Sequence, residues 1–275
     1  MNTGKQIIIF TDLDGTLLDE TYSFAAAFEA LEKVNELAIP LVLCSSKTRK
    51  EIEHYRDKLG NTDPFISENG GGIFIPLGYF PDESILDGFS PHTDKDYRII
   101  GLGTPYDELR KVLGELRREG FDITGFGDLS LDELAEITGL PRNEAMLCRE
   151  RDFDEPFLFN GDEKQREFLF HSIRSRGLFT TQGVFHHLLG DNDKGRAVRI
   201  LSELYRARFG PITTIALGDS PNDLPMLQSV DIPVAVQRPD GRYHPSLALP
   251  HLFKAGEIGP AGWNNAVLEL LTRRA

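Results

Sequence analysis

Two cysteines in 275 residues, Cys44 and Cys148, are too few and too far apart in the chain for a disulfide framework or a zinc signature. That scarcity suits a reducing compartment. Long apolar runs are missing too. None reaches the length of a membrane span. The run Ile7-Ile8-Ile9-Phe10 is too short for a signal peptide and leads straight into a polar stretch. The expectation is a cytoplasmic protein. Positive charge is the minority: 30 Lys and Arg stand against 43 Asp and Glu, for a net charge of −13 at pH 7. This argues against nucleic acid or an anionic membrane as partner. A small anionic ligand stays open, because a local cation, a lysine and backbone amides dominate a small site. There is no internal repeat and no low-complexity tract. The remainder is ordinary for a globular chain: 40% hydrophobic and 27% charged residues, with a length that suits one large domain or two smaller ones.

The stretch that organises the chain is Phe10-Thr11-Asp12-Leu13-Asp14-Gly15-Thr16, directly after the apolar run. A short β-branched run ending in acids and a glycine reads as a buried strand that delivers carboxylates to a loop. Asp12 and Asp14 are two residues apart, so extended geometry points both the same way. Like charges gathered in a crevice repel unless a cation joins them, and oxygen-only ligands favour Mg²⁺. A plain strand-to-turn junction would also place two acids here. Three later stretches weigh against it. Leu41-Val42-Leu43-Cys44 ends in Ser45-Ser46; Lys194 stands in Asp193-Lys194-Gly195-Arg196; Ile215-Ala216-Leu217 ends in Gly218-Asp219-Ser220-Pro221-Asn222-Asp223.

Strands and helices alternate at the start: strands over 7–10, 41–44 and 64–67, helices over 24–37 and 48–59. A glycine-rich turn, Glu68-Asn69-Gly70-Gly71-Gly72, precedes the short strand 73–75. From Ser84 to Leu189 the pattern changes to an α+β unit. It has strands over 96–102, 121–126 and 155–159, helices over 105–119 and 163–176, and a hairpin turning at Gln182-Gly183. Thr104 reads as the cap of its first helix. A helix from Lys194 comes next, capped by Asp193 or Asn192. Then come a strand over 212–217, a short helix over 222–228, a last core strand over 232–236 and a closing helix over 262–273. In parallel sheets ligands bind beyond the carboxyl ends of the strands, so Asp12, Ser45 and Asp219 can converge although distant in sequence. His186 and His187 are adjacent strand residues, so at most one of them faces a cleft.

In this order the four stretches resemble the motifs of the haloacid dehalogenase superfamily: Asp-x-Asp-Gly-Thr, a strand-end Ser/Thr, a Lys, and Gly-Asp-x-x-x-Asp. The resemblance covers residues 6–75 and roughly 190–270. It implies an α/β fold, a Rossmann-like core with a parallel sheet over 1–83 and 190–275, and an inserted α+β cap domain over 84–189. It also implies a Mg²⁺-dependent phosphomonoesterase with Asp12 as nucleophile and Asp14 as acid and base. The metal would be held by Asp12, the backbone carbonyl of Asp14, and Asp219, with Asn222 and Asp223 behind it. Ser45, the Ser46 amide and Lys194 would take phosphoryl oxygens.

Members with a large cap mostly take small phosphorylated metabolites, so the implied partner is a small phosphorylated glycoside. Within that group the chain is similar to the mannosyl-3-phosphoglycerate phosphatases. The similarity is carried by Cys44-Ser45-Ser46-Lys47-Thr48-Arg49, by Ser67 to Pro76, and by Phe185-His186-His187-Leu188-Leu189-Gly190. Where that family is expected to carry Arg before Phe185, this chain has Val184. Lys47, Arg49 and Arg149 are equal candidates for a substrate carboxylate, and Asn69 and Gly70 for close backbone approach to the ligand. A glucosyl analogue, a sucrose-phosphate-type phosphatase and a phosphomannomutase-like mutase are the alternative readings.

Overall fold

The computed structural model describes residues 5–273. The chain begins with β1 (Gln6–Thr11), α1 (Phe28–Glu36), β2 (Leu41–Leu43), α2 (Arg49–Leu59), β3 (Phe65–Ser67), β4 (Gly72–Pro76), β5 (His92–Asp94) and β6 (Tyr97–Gly101). It continues through α3 (Tyr106–Arg118), β7 (Ile123–Gly125), α4 (Leu131–Thr138), α5 (Arg142–Leu147), β8 (Asp154–Phe159), α6 (Glu163–Ser175), β9 (Phe179–Gln182) and β10 (His186–Leu189). It closes with α7 (Lys194–Phe209), β11 (Ile212–Gly218), α8 (Leu224–Leu227), β12 (Ile232–Gln237), β13 (Phe253–Ile258) and α9 (Gly259–Thr272). Among the described residues no helix is long and apolar enough to cross a membrane.

The central layer is a parallel sheet in the order β13-β12-β11-β1-β2. Its middle strands are buried on both faces, which is why β1 reads as an unbroken apolar run. Side chains alternate between two cores. Ile9 packs on the side of α1 and α9, while Ile8 and Phe10 pack on the side of α7. Trp263 of α9 is fully buried, and its Nε1 donates to Thr11 Oγ1 at 3.0 Å, tying that helix across the end of β1. Two local devices set the helices that lead out of the strand ends. Thr48 and Glu51 form a reciprocal capping box on α2. Asp193 Oδ1 accepts the Arg196 amide at 2.7 Å and caps α7.

A second, wholly antiparallel sheet runs β7-β8-β10-β9. Leu109, Leu113 and Leu116 of α3 and Leu169 and Ile173 of α6 cover one of its faces. The opposite face turns toward the carboxyl ends of the parallel strands.

Three details differ from the sequence reading. The strand at 96–102 forms, but β6 pairs with β4 in a sheet of order β3-β4-β6-β5 rather than with the inserted sheet. Its Tyr97 and Ile99 pack on Phe65 and Phe74, and this apolar face keeps it with the first half of the chain. The pattern change at Ser84 is therefore a short 3₁₀ turn, Glu83–Phe89, and the chain enters the inserted sheet only after β6. The strand at 232–236 is not the last in its sheet. β13 lies beyond it at the edge, and its mixed sequence Phe-Lys-Ala-Gly-Glu-Ile hides it from an apolar pattern. Finally, Pro105 rather than Thr104 stands at the cap of α3, with no side-chain bond there.

Candidate active site

Parallel register brings the carboxyl ends of β1, β2 and β11 to one edge: Thr11 stands beside both Leu43 and Leu217. The next residues, Asp12, Cys44-Ser45-Ser46 and Asp219, therefore emerge together. Asp12 is held by its own amide, which donates to Leu217 O at 3.0 Å. Gly15 makes the turn at φ +74°; a Cβ there would sit 3.0 Å from Asp219 Oδ2 and would also be strained. Thr16 Oγ1 donates to Asp219 Oδ1 at 3.1 Å, and Ser220 Oγ to Asp219 Oδ2 at 3.0 Å.

Oxygens of Asp12, Asp219 and Asp223 lie within 4.8 Å of one another. Lys194, fully buried, sits behind them. Its Nζ donates to Asp12 Oδ1 at 2.7 Å and to Asp223 Oδ1 at 2.6 Å. Asp223 Oδ2 also accepts the amides of Asp219 and Ser220, each at 3.0 Å. Asp223 is thus consumed by internal donors, whereas Asp12 and Asp219 face a cavity. One ammonium against three carboxylates leaves the cluster short of positive charge. Burial, helped by Asp223, pushes Asp12 well above the usual carboxylate range against the pull of Lys194. The same causes push Asp219 up to about 7. Burial works against the Lys194 ammonium, but Asp12 and Asp223 outweigh it and keep it charged. This donor set fits a hard divalent cation: it is all oxygen, crowded with like charge, and lined by Asn222, whose buried Oδ1 has no partner among the described residues.

The cavity, of about 770 Å³, lies between the parallel strand ends and the inserted unit. Asp12, Asp14, Lys47 and Asp219 form its charged floor; Phe126, Leu140 and Phe185 belong to an apolar wall from the inserted unit. Tyr22 bridges the two, donating through its hydroxyl to Thr138 O at 2.9 Å.

The other expected site residues divide between the cavity, the interior and the outer surface. Ser46 lines the cavity, while Ser45 is fully buried behind it and its Oγ accepts the Lys47 amide at 3.3 Å. Asp14 lines the cavity with its carboxylate 3.0 Å from Lys47 Nζ and stays out of the three-acid cluster. Lys47 lies 3.6 Å from Glu51 as well, and its ammonium stands over Tyr22. Burial opposes its charge, but Asp14 and Glu51 hold it above its ordinary value. Lys194 does not line the cavity; it pairs with Asp12 and Asp223, so its position favours neutralising carboxylates over reaching a ligand oxygen. Arg49 turns away to Glu53 and Asp94 and stacks over Tyr97, and Arg149 is exposed outside the cavity. Gly70 approaches backbone rather than ligand: a Cβ there would stand 2.2 Å from Asp193 O.

Sequence reasoning missed a buried polar chain that joins the two halves of the site. Asn222 Nδ2 donates to Asn69 Oδ1 at 3.0 Å, and Asn69 Nδ2 to Asp154 Oδ2 at 2.6 Å. Asp154 Oδ1 lies 2.8 Å from His187 Nδ1 and 3.8 Å from Arg151. Burial pushes the Asp154 carboxyl up, but the imidazole and Arg151 more than offset this and leave it below the usual range. Glu68, at φ +48° beside Asn69 at φ +55°, accepts the amides of Asp152 and Phe153. His187 and Arg151 line the cavity, while His186 stacks on Phe157 at the helix face. Left-handed backbone at two non-glycine residues in sequence was the available clue, and it is visible only as Asn-Gly-Gly composition before folding.

Comparison with known proteins agrees with this arrangement. Residues 9–87 and 159–241, more than half of the chain, match the model of haloacid dehalogenase-like hydrolases. A glucosyl-3-phosphoglycerate/mannosyl-3-phosphoglycerate phosphatase of Methanococcoides burtonii is 50% identical over 96% of this chain and 97% of its own length. A mannosyl-3-phosphoglycerate phosphatase of Pyrococcus furiosus is 35% identical over 82% and 88% of the two chains. A solved Thermoplasma acidophilum protein shares the fold at a TM-score of 0.68, with 18% identity over 98% of this chain and 99% of that one. The chain therefore belongs to the haloacid dehalogenase-like hydrolases and, among them, to the phosphoric monoester hydrolases.

Proposed function

We propose that this protein removes phosphate from glucosyl-3-phosphoglycerate or mannosyl-3-phosphoglycerate in the cytoplasm, leaving the glycosylglycerate. The observation that carries the chemistry is the meeting of Asp12 and Asp219 from opposite ends of the chain over one buried lysine. The substrate reading is supported by relatives of that name matched over nearly their whole length. A cavity of small-molecule size fits it too.

In this reading an Asp12 oxygen attacks phosphorus, the bond from phosphorus to the glycerate oxygen breaks, and an aspartyl-phosphate forms. Asp14, whose carboxyl is aimed by Lys47, gives a proton to the leaving oxygen. Water then attacks phosphorus, Asp14 takes its proton, and Asp12 is released with inorganic phosphate. Lys194 pulls Asp12 toward its ionised form and holds it in place, and the amides around Ser46 meet the phosphoryl oxygens. Asp12, Asp219 and the Asp14 carbonyl would hold Mg²⁺, with Asn222 and Asp223 outside them. When bound, the ion would supply the positive charge that lets an anionic nucleophile approach an anionic phosphoryl group.

The test is phosphate release from synthetic mannosyl- and glucosyl-3-phosphoglycerate beside sucrose phosphate and free hexose phosphates, with EDTA and with Mg²⁺ restored. Preference for either glycosylglycerate ester, lost with EDTA and regained with Mg²⁺, is expected. A preference for a free hexose phosphate, or isomer formation without free phosphate, would overturn it.

A further inference from the structure

The expected reader of the substrate carboxylate was Lys47, Arg49 or Arg149, and the structure leaves none of them free for it. Lys47 is held by Asp14 and Glu51, Arg49 by Glu53 and Asp94, and Arg149 lies outside the cavity. Two other arginines line the cavity, Arg151 and Arg238. Arg238 is exposed, at the rim. Arg151 has a side chain only 4% exposed, in the loop that leads into β8.

Its bonding is incomplete. A guanidinium offers five N–H donors. Arg151 Nε donates to Cys148 O at 3.0 Å and Nη1 to Ser46 O at 3.4 Å. Nη2 has no hydrogen bond among the described residues, and the nearest carboxylate, Asp154, is 3.8 Å away. Asp154 is already taken by Asn69 and His187. Glu68 and Glu51 are further acids in the neighbourhood, but neither comes within ion-pair distance. Its one counter-ion within ion-pair distance among the described residues, Asp154, is shared with His187 and makes no hydrogen bond to the arginine, so a cavity-lining guanidinium with an unbonded Nη2 keeps donors for a ligand carboxylate. The Ser46 carbonyl also anchors it beside the residue at the phosphate end of the cavity.

We propose that Arg151 is the specificity-determining residue that receives the substrate's carboxylate. The idea rests on the glycosyl-3-phosphoglycerate reading and deepens it. In such a substrate the carboxylate carbon stands two carbons from the phosphorylated one. A cation set one step from Ser46 meets it while the phosphoryl group reaches Asp12. The planar fork binds a carboxylate through two parallel bonds, which a lysine cannot reproduce. The chain Asn222–Asn69–Asp154 then holds the arginine in register with the phosphate end. Arg151 lies in the inserted unit's approach loop while Asn222 comes after β11, so the two ends of one substrate are read by both halves of the fold.

The experiment compares kcat/KM for the preferred glycosyl-3-phosphoglycerate with that for its primary carboxamide, in the native protein and in Arg151→Gln, Arg151→Lys and Arg238→Gln. The native protein is expected to prefer the acid by about a hundredfold, chiefly through KM. In Arg151→Gln that ratio falls toward one; Arg151→Lys lies between; Arg238→Gln leaves it as in the native protein. Equal turnover of acid and amide by the native protein overturns the proposal without any variant, and leaves the phosphatase reading standing. So does a fall by one common factor for both compounds in Arg151→Gln, which would mark a structural role. Turnover of neither compound beside good turnover of other phosphomonoesters would instead sink the substrate reading, and this proposal with it.

Discussion

The parallel and the antiparallel sheets bury charge in opposite ways. In the parallel unit, Asp12, Asp219, Asp223 and Lys194 satisfy one another through loops of that unit alone. In the inserted unit, Asp154 bonds His187 of its own sheet but also needs Asn69, and the Asp152–Phe153 amides need Glu68, both of which the first half of the chain provides. The acid cluster is thus self-contained, and the network around Asp154 is complete only when both units are together. A fold built this way can keep its reacting groups while the inserted unit changes what is admitted.

Breaking the self-contained end has the largest expected effect. Asp12→Asn should cut phosphate release to below about a thousandth with the fold intact, as seen by circular dichroism, since the proposed mechanism makes Asp12 the attacking group. Residual turnover near the native rate would mean that another group attacks. Lys194→Met should leave Asp12 and Asp223 buried without a counter-charge, at about 3–5 kcal/mol in urea unfolding at pH 7. The loss should shrink as pH falls and Asp12, which burial already holds above the usual carboxylate range, takes up its proton. An unchanged midpoint would show that the lysine is not what holds the acids together.

Attacking the shared end should cost less. Asn69→Gly keeps the left-handed backbone but removes both side-chain bonds, and should cost about 1–3 kcal/mol. It should also raise KM more than it lowers kcat; a change in kcat alone would place Asn69 with the reacting groups. The smallest effect is a slope. Burial, against the pull of Arg151 and the amides, holds the Glu68 carboxyl up at about 8, above its ordinary 4.5. A raised acid makes the native state bind more protons than the unfolded chain between those values, so its contribution is present below 4.5 and is lost as pH rises toward 8. Glu68→Gln should therefore flatten part of the decline in Tm over that range. Equal slopes in both proteins would show that Glu68 titrates normally.

Strands ending in Asp12, Ser46 and Asp219 were legible because a buried parallel strand must be apolar and the loop after it must be polar. The helices at Thr48 and Asp193 were legible because their caps are local. The edge strand β13 was not, because four of its six residues are polar or small. Nor was the return of β6 to β4, which depends on Tyr97 finding Phe65 and Phe74. Arg149 and Arg151 look alike in one dimension. Only the path of the chain after α5 sends one outside and the other into the cavity.

Residue order alone thus specified the acids, the serines, the lysine and the alternating elements that carry them, since each depends on neighbours a few positions away. Which of two serines faces the cavity, whether Lys194 meets a ligand or an aspartate, and which arginine lines the cavity with a nitrogen left unbonded were settled only by packing. Those outcomes turn on pairings between distant segments, and no local pattern encodes the partner.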